Sequence, residues 1–85
     1  MINVLTPDLF RAARAMLNLT QQELAKEAGL ERRVVARLES TQENVKIEQS
    51  VHLKKTYERL GIEFTLGSDS FGPGLRWKRP PRGDG

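Results

Sequence analysis

Three arginines, Arg32, Arg33 and Arg37, stand within six positions of one another. Each guanidinium is a planar, permanently charged fork of donors. Such a fork fits the O6 and N7 acceptors of guanine in the DNA major groove, or grips a phosphate. Arg33 and Arg37 are four apart, so a helix would set them on one face with Arg32 beside them. Catalytic chemistry has far less to stand on. His52 is the only histidine and there is no cysteine, so a metal site lacks ligands. Ser50, His52 and Asp69 could be written as a triad, but nothing in the sequence places them together, and no nucleophile elbow or glycine-rich phosphate loop is present. Nor is there a carboxylate pair in an apolar setting. The expectation is a non-enzyme with no catalytic residue, cofactor or metal.

The arginines need a scaffold, and the preceding residues supply one. Thr20 can cap a short helix while Glu23, three residues on, reaches back to its backbone N–H as a capping box. Leu24, Ala25 and Ala28 recur at helical spacing, and the two alanines suit a close helix crossing. Gly29 can end that helix in the left-handed conformation, and Leu30 can plug the corner. A second helix is predicted from about Arg32 to Glu39, with Val35 and Leu38 facing the core. Two short helices joined at a glycine, the second carrying the arginines outward, have the geometry of a helix-turn-helix. In that motif the second helix enters the major groove.

These residues resemble the lambda-repressor-like helix-turn-helix proteins, the broad group of phage repressors and bacterial XRE-type regulators. The matching positions are Arg14, Leu19-Thr20-Gln21, Glu23-Leu24-Ala25, Ala28-Gly29-Leu30, Val35, Leu38-Glu39 and Ser40, and the resemblance covers roughly Phe10 to Gly61. It implies a mainly α fold, a bundle of about four helices, and the strand-like segments after residue 61 add a short C-terminal β-hairpin to it. It also implies that Gln21, at the start of the second helix, binds phosphate, and that Arg32, Arg33, Val34 and Arg37 reach bases. A buried pair tying the first helix to the end of the third maps to Arg14 and Glu39. Gln22, Thr41, Gln42 and Asn44 are further candidates for phosphate contact. Arg32 is left to read a base or grip the backbone, and Val34 to touch a thymine methyl.

Four positions depart from the family pattern. Glu31 replaces a small polar cap. Its carboxylate would repel nearby phosphate, cap the third helix, or accept from cytosine N4. Asn18 replaces a glycine, a mild change because asparagine tolerates the left-handed region. Val45 and Ile47 stand where prolines are often found, which leaves that loop less rigid.

Length and charge set the frame. The 85 residues make one domain with a small core, whose stability is marginal unless an oligomer adds buried surface. The lack of cysteine excludes disulfides and zinc fingers and fits a reducing cytosol. The opening Met1-Ile2-Asn3-Val4-Leu5 is too short for a signal peptide, and no apolar run is long enough for a membrane helix. A cytoplasmic, nucleoid-associated protein is expected. Residues 1–71 carry ten basic and ten acidic side chains, so the net charge of +3 arises entirely in the last fourteen residues, at Arg76, Lys78, Arg79 and Arg82 against Asp84. A DNA face must therefore come from local arrangement rather than overall basicity.

Around this centre, Thr6-Pro7-Asp8 reads as a helix start with a capping threonine, and Phe10, Ala13 and Leu17 as the buried stripe of a helix ending near Leu17. After the polar loop Ser40-Thr41-Gln42-Glu43-Asn44, a helix is predicted from Ile47 to Leu60, with Leu53, Tyr57 and Leu60 inward, His52 at the surface and Gly61 as the stop. Ile62 to Leu66 and Leu75 to Lys78 alternate apolar and polar like strands. The predicted division is a helix-turn-helix domain at 1–61, a hairpin and dimerisation extension at 62–78, and a disordered basic tail at 79–85. An isolated hairpin is marginal in water, so it should pack on the last helix or pair with a second chain. Ile62, Phe64, Leu66, Leu75 and Trp77 are the candidate contacts of a homodimer. A dimer would supply the two half-sites that a short recognition helix needs. Trp77 could instead stack on a base, and the tail could be a DNA arm or a solubilising end.

The expected function is a DNA-binding transcription regulator, a repressor, recognising a pseudo-palindromic operator in double-stranded DNA as a homodimer. The rival is an antitoxin- or antiactivator-type module gripping a partner protein encoded nearby, which Glu31 and the neutral core charge favour. The operator and the regulated genes are not written in the sequence.

Overall fold

The computed structural model describes residues 5–78 and contains four helices followed by a two-stranded antiparallel sheet: α1 (Pro7–Leu17), α2 (Gln21–Ala28), α3 (Arg32–Leu38), α4 (Ile47–Arg59), β1 (Ile62–Thr65) and β2 (Gly74–Trp77). The proposed basic tail at 79–85 lies outside these residues. The fold is thus the mainly helical bundle with a hairpin that the sequence predicts.

Local signals explain most of the boundaries. Pro7 opens α1, where its fixed φ suits the first turn. Thr6 stands at the N-cap but makes no capping bond, contrary to expectation, because its hydroxyl donates to the Asp8 carboxylate instead. Asn18 ends α1 in the left-handed conformation at φ 57°, the role its short polar side chain allows. At α2 the capping box is complete: Glu23 N–H donates to Thr20 Oγ1 at 3.0 Å, and Thr20 N–H donates to Glu23 Oε1 at 2.9 Å. Gly29 closes α2 at φ 68°. The loop after α3 is held by two non-glycine left-handed residues, Gln42 and Asn44.

The core is one apolar cluster fed by every helix and by the hairpin. Phe10 and Ala13 of α1, Leu24, Ala25 and Ala28 of α2, Val35 and Leu38 of α3, and Leu53 and Tyr57 of α4 are all buried. Phe10, Tyr57 and Phe64 form an aromatic triangle, with Phe10 stacked on Tyr57 at 6.1 Å and Phe64 edge-on to both. Tyr57 is anchored at its polar end too, its hydroxyl donating to the Phe10 carbonyl at 3.0 Å. Burial raises the Tyr57 phenol well above its usual range. Leu60, expected inward, ends at the C-cap of α4 and is half-buried.

The hairpin packs on this bundle, the first of the two arrangements open to it. Ile62 pairs with Trp77 and Phe64 with Leu75, so these four share one face, and Glu63 with Arg76 lie on the other, joined by an ion pair at 3.1 Å. Ile62 is fully buried, and Phe64 and Leu75 pack against the core. Of the expected dimer contacts, Ile62, Phe64 and Leu75 pack within their own chain. Leu66 falls beyond the end of β1 and is exposed, as is Phe71 in the connection, while Trp77 lies half-exposed over Gly61.

Candidate nucleic-acid interface

The site is built outward from a buried ion pair. Arg14 reaches from α1 to Glu39, the residue that ends α3. Its Nε donates to Glu39 Oε2 at 2.7 Å and its Nη2 to Oε1 at 2.9 Å. The Glu39 side chain is 2% exposed. Such a forked pair resists displacement, because leaving one charge unpartnered at a buried site is costly. Hydrogen bonding to Glu39 raises the Arg14 guanidinium further above its usual range. Arg14 Nη1 also donates to the Leu19 carbonyl in the turn before α2, so the pair fixes three elements at once.

The same carboxylate positions the start of α2. Gln21 Nε2 donates to Glu39 Oε1 at 3.0 Å, and Gln21 Oε1 accepts from Arg32 Nη1 at 3.3 Å. A continuous polar chain therefore runs Arg14, Glu39, Gln21, Arg32. It sets the first residue of α2 beside the first residue of α3, and one amide hydrogen of Gln21 remains uncommitted.

The outer face of α3 carries the remaining arginines. Arg32, Arg33 and Arg37 are all exposed, while Val35 and Leu38 on the opposite side are fully buried, the division that the sequence predicts. Val34 is half-buried against the core, which leaves part of its surface outward. Arg37 makes no side-chain hydrogen bond or ion pair among the described residues. Arg33 is engaged: its Nε donates to Glu31 Oε1 at 2.7 Å. Glu31 occupies the N-cap position of α3 but its side chain caps nothing, so the capping role open to it in the sequence is not realised.

The loop after α3 is tied to the end of that helix, since the Ser40 and Gln42 N–H groups both donate to the Arg37 carbonyl. Thr41 and Asn44 are exposed there, as is Gln22 on α2. Gln42, expected at a phosphate, has its side chain engaged within the chain. Its amide donates to the carbonyls of Leu5 and Leu38, at 2.9 and 3.2 Å, so both amide hydrogens are spent inside the molecule. That bond to Leu5, 37 residues away, is a structural tie of the loop that spacing alone could not signal.

The residues considered for catalysis are not drawn into a site. Ser50 is buried on α4, Asp69 is exposed in the hairpin connection, and His52 Nε2 donates to the Ala28 carbonyl at 2.6 Å, stapling α4 to the end of α2. Among the described residues, no group of acidic, histidine or cysteine side chains could hold a metal ion, and no helix is long and apolar enough to cross a membrane.

The helix-turn-helix family model matches residues 10–49, the stretch from α1 through the start of α4 that contains the whole polar chain and all three arginines. No curated protein matches the chain.

Proposed function

We propose, from the premise that residues 10–49 belong to the helix-turn-helix family of lambda-repressor-like, XRE-type DNA-binding transcription regulators, that this chain is a repressor which binds a pseudo-palindromic operator as a homodimer. The observation that carries the DNA-reading part is the sidedness of α3. Its apolar half is sealed in the core, and its outer half presents Arg32, Arg33 and Arg37 beside a Gln21 fixed by Glu39. A helix so presented can lie in the major groove with the first residue of α2 against a phosphate.

In this reading Arg33 and Arg37 donate to guanine O6 and N7, each good bidentate contact giving about 1–3 kcal/mol of discrimination. Arg32, held at one Nη by Gln21, reads a base or grips the backbone, and Val34 meets a thymine methyl. Gln21 uses its remaining amide hydrogen for a phosphate, with Gln22, Thr41 and Asn44 assisting. Gln42 would contribute only through its position in the loop. The proposed homodimer forms through Leu66 and Trp77 of the hairpin, with Phe71 added from its connection, since these large apolar side chains remain exposed.

That exposed apolar set also favours a second reading, in which the hairpin grips a different protein, as an antitoxin or antiactivator would. The two part on salt. Affinity for mixed-sequence duplex should fall steeply between about 50 and 200 mM salt if several phosphates are contacted. A flat response, measured by fluorescence anisotropy, would reject DNA binding in favour of the protein partner.

A further inference from the structure

Glu31 sits on the exposed face that carries the reading arginines, and its side chain has an unexpected occupation. Its backbone is extended, as an N-cap requires, yet its carboxylate makes no capping bond and instead accepts from Arg33 Nε at 2.7 Å. Both side chains are about two-thirds or more exposed, at 67% and 72%. An ion pair so placed contributes little to folding. Its geometric effect is larger. The carboxylate takes Nε alone, so the two Nη groups, the end-on fork that spans guanine O6 and N7, make no hydrogen bond to it.

Resting on the DNA-reading assignment above, we infer that Glu31 is a specificity-determining positioning residue. It orients Arg33 for base readout and, by its charge, denies Arg33 the indiscriminate grip on phosphate that a free arginine would have. Two further observations fit this role. Arg32 also has a partner within the chain, one Nη donating to Gln21 Oε1 at 3.3 Å, so two of the three arginines on α3 are engaged before any contact. Residues 1–71 carry no net charge, so the overall charge of this part gives no general attraction to DNA. A bound side chain that is already ordered loses less freedom on binding, and a like-charged neighbour penalises the wrong contact more than the right one.

The test is parallel selection of bound duplexes from a random-sequence pool by the native chain and its Glu31→Ala, Glu31→Gln and Arg33→Ala variants, with titration of the unselected pool over a salt series. Glu31 is exposed and caps nothing, so the variants should keep the native circular dichroism. The native chain should enrich a site containing a guanine that Arg33→Ala no longer demands. Glu31→Ala should bind the unselected pool more tightly, with a salt slope steeper by about 0.9 for the one phosphate gained, and discriminate at that guanine roughly tenfold less. Glu31→Gln keeps an acceptor for Arg33 without the charge, so it should restore discrimination while retaining the tighter pool binding.

Glu31→Ala selecting the native site with undiminished discrimination would overturn the positioning role. So would loss of a cytosine preference with the guanine untouched, which would make Glu31 a direct reader. A native chain that enriches nothing would instead remove the DNA-reading assignment itself.

Discussion

The Arg14–Glu39 pair holds the interface together although it touches no ligand. Because the Glu39 carboxylate is buried, Arg14→Ala should cost about 3 kcal/mol in urea unfolding and should also loosen Gln21. A loss of a few tenths would show that Gln21 and the Arg11 contact to the Glu39 carbonyl suffice without it. Arg33→Ala should relax the preference at one base position, whereas Gln21→Ala should weaken all sequences alike. Binding assays on a selected site and its single-base variants would expose the reverse pattern. Tyr57 supplies a pH-dependent term. Its phenol is raised by burial above an ordinary value of 10.0, so the neutral form is the one the fold favours. Stability from it is complete below pH 10 and is lost as pH rises beyond. Tyr57→Phe should flatten that alkaline decline in denaturation midpoint. The arginines and the Arg14–Glu39 pair were legible because the family spacing carries them. The Glu31–Arg33 pair was not, because the roles open to Glu31 in the sequence were to repel phosphate, cap α3 or accept from cytosine N4, and only the rotamer of Arg33 brings its Nε to the carboxylate.

At the level of elements, boundaries followed local chemistry wherever the signal was complete. The Thr20–Glu23 box, Asn18 and Gly29 each behave as their side chains require. Thr20→Ala should therefore cost about 1 kcal/mol, with thermal melting as the check. Thr6 shows the weakness of a cap read from residue type alone, since an Asp8 two residues on competes for its hydroxyl. The hairpin shows the same for burial. Alternation located its strands within a residue or so, yet alternation cannot say whether the apolar face meets its own chain or another. Phe64 resolves it by closing the aromatic triangle with Phe10 and Tyr57. Phe64→Ala should lower stability by about 2–3 kcal/mol, somewhat less than a fully buried phenylalanine, and unchanged stability would mean that the hairpin contributes nothing to the core.

For the whole molecule, charge and shape separate two surfaces. One is the outer side of α3, where cations stand out from an otherwise neutral body. The other is the set of exposed apolar side chains on the hairpin. Leu66→Ser with Trp77→Ser should convert the proposed dimer to monomer in light scattering while leaving circular dichroism intact. Deleting the hairpin would not test this, because Ile62 and Phe64 belong to the core. The measurement that bears most directly on the proposed function is selection of bound duplexes from a random pool at near-physiological salt by the native chain and by an Arg33→Ala/Arg37→Ala variant. The expected result is a two-fold symmetric site enriched by the native chain alone. Enrichment of nothing by a folded native chain, or of the same site by both proteins, would contradict the reading of α3 as a recognition helix.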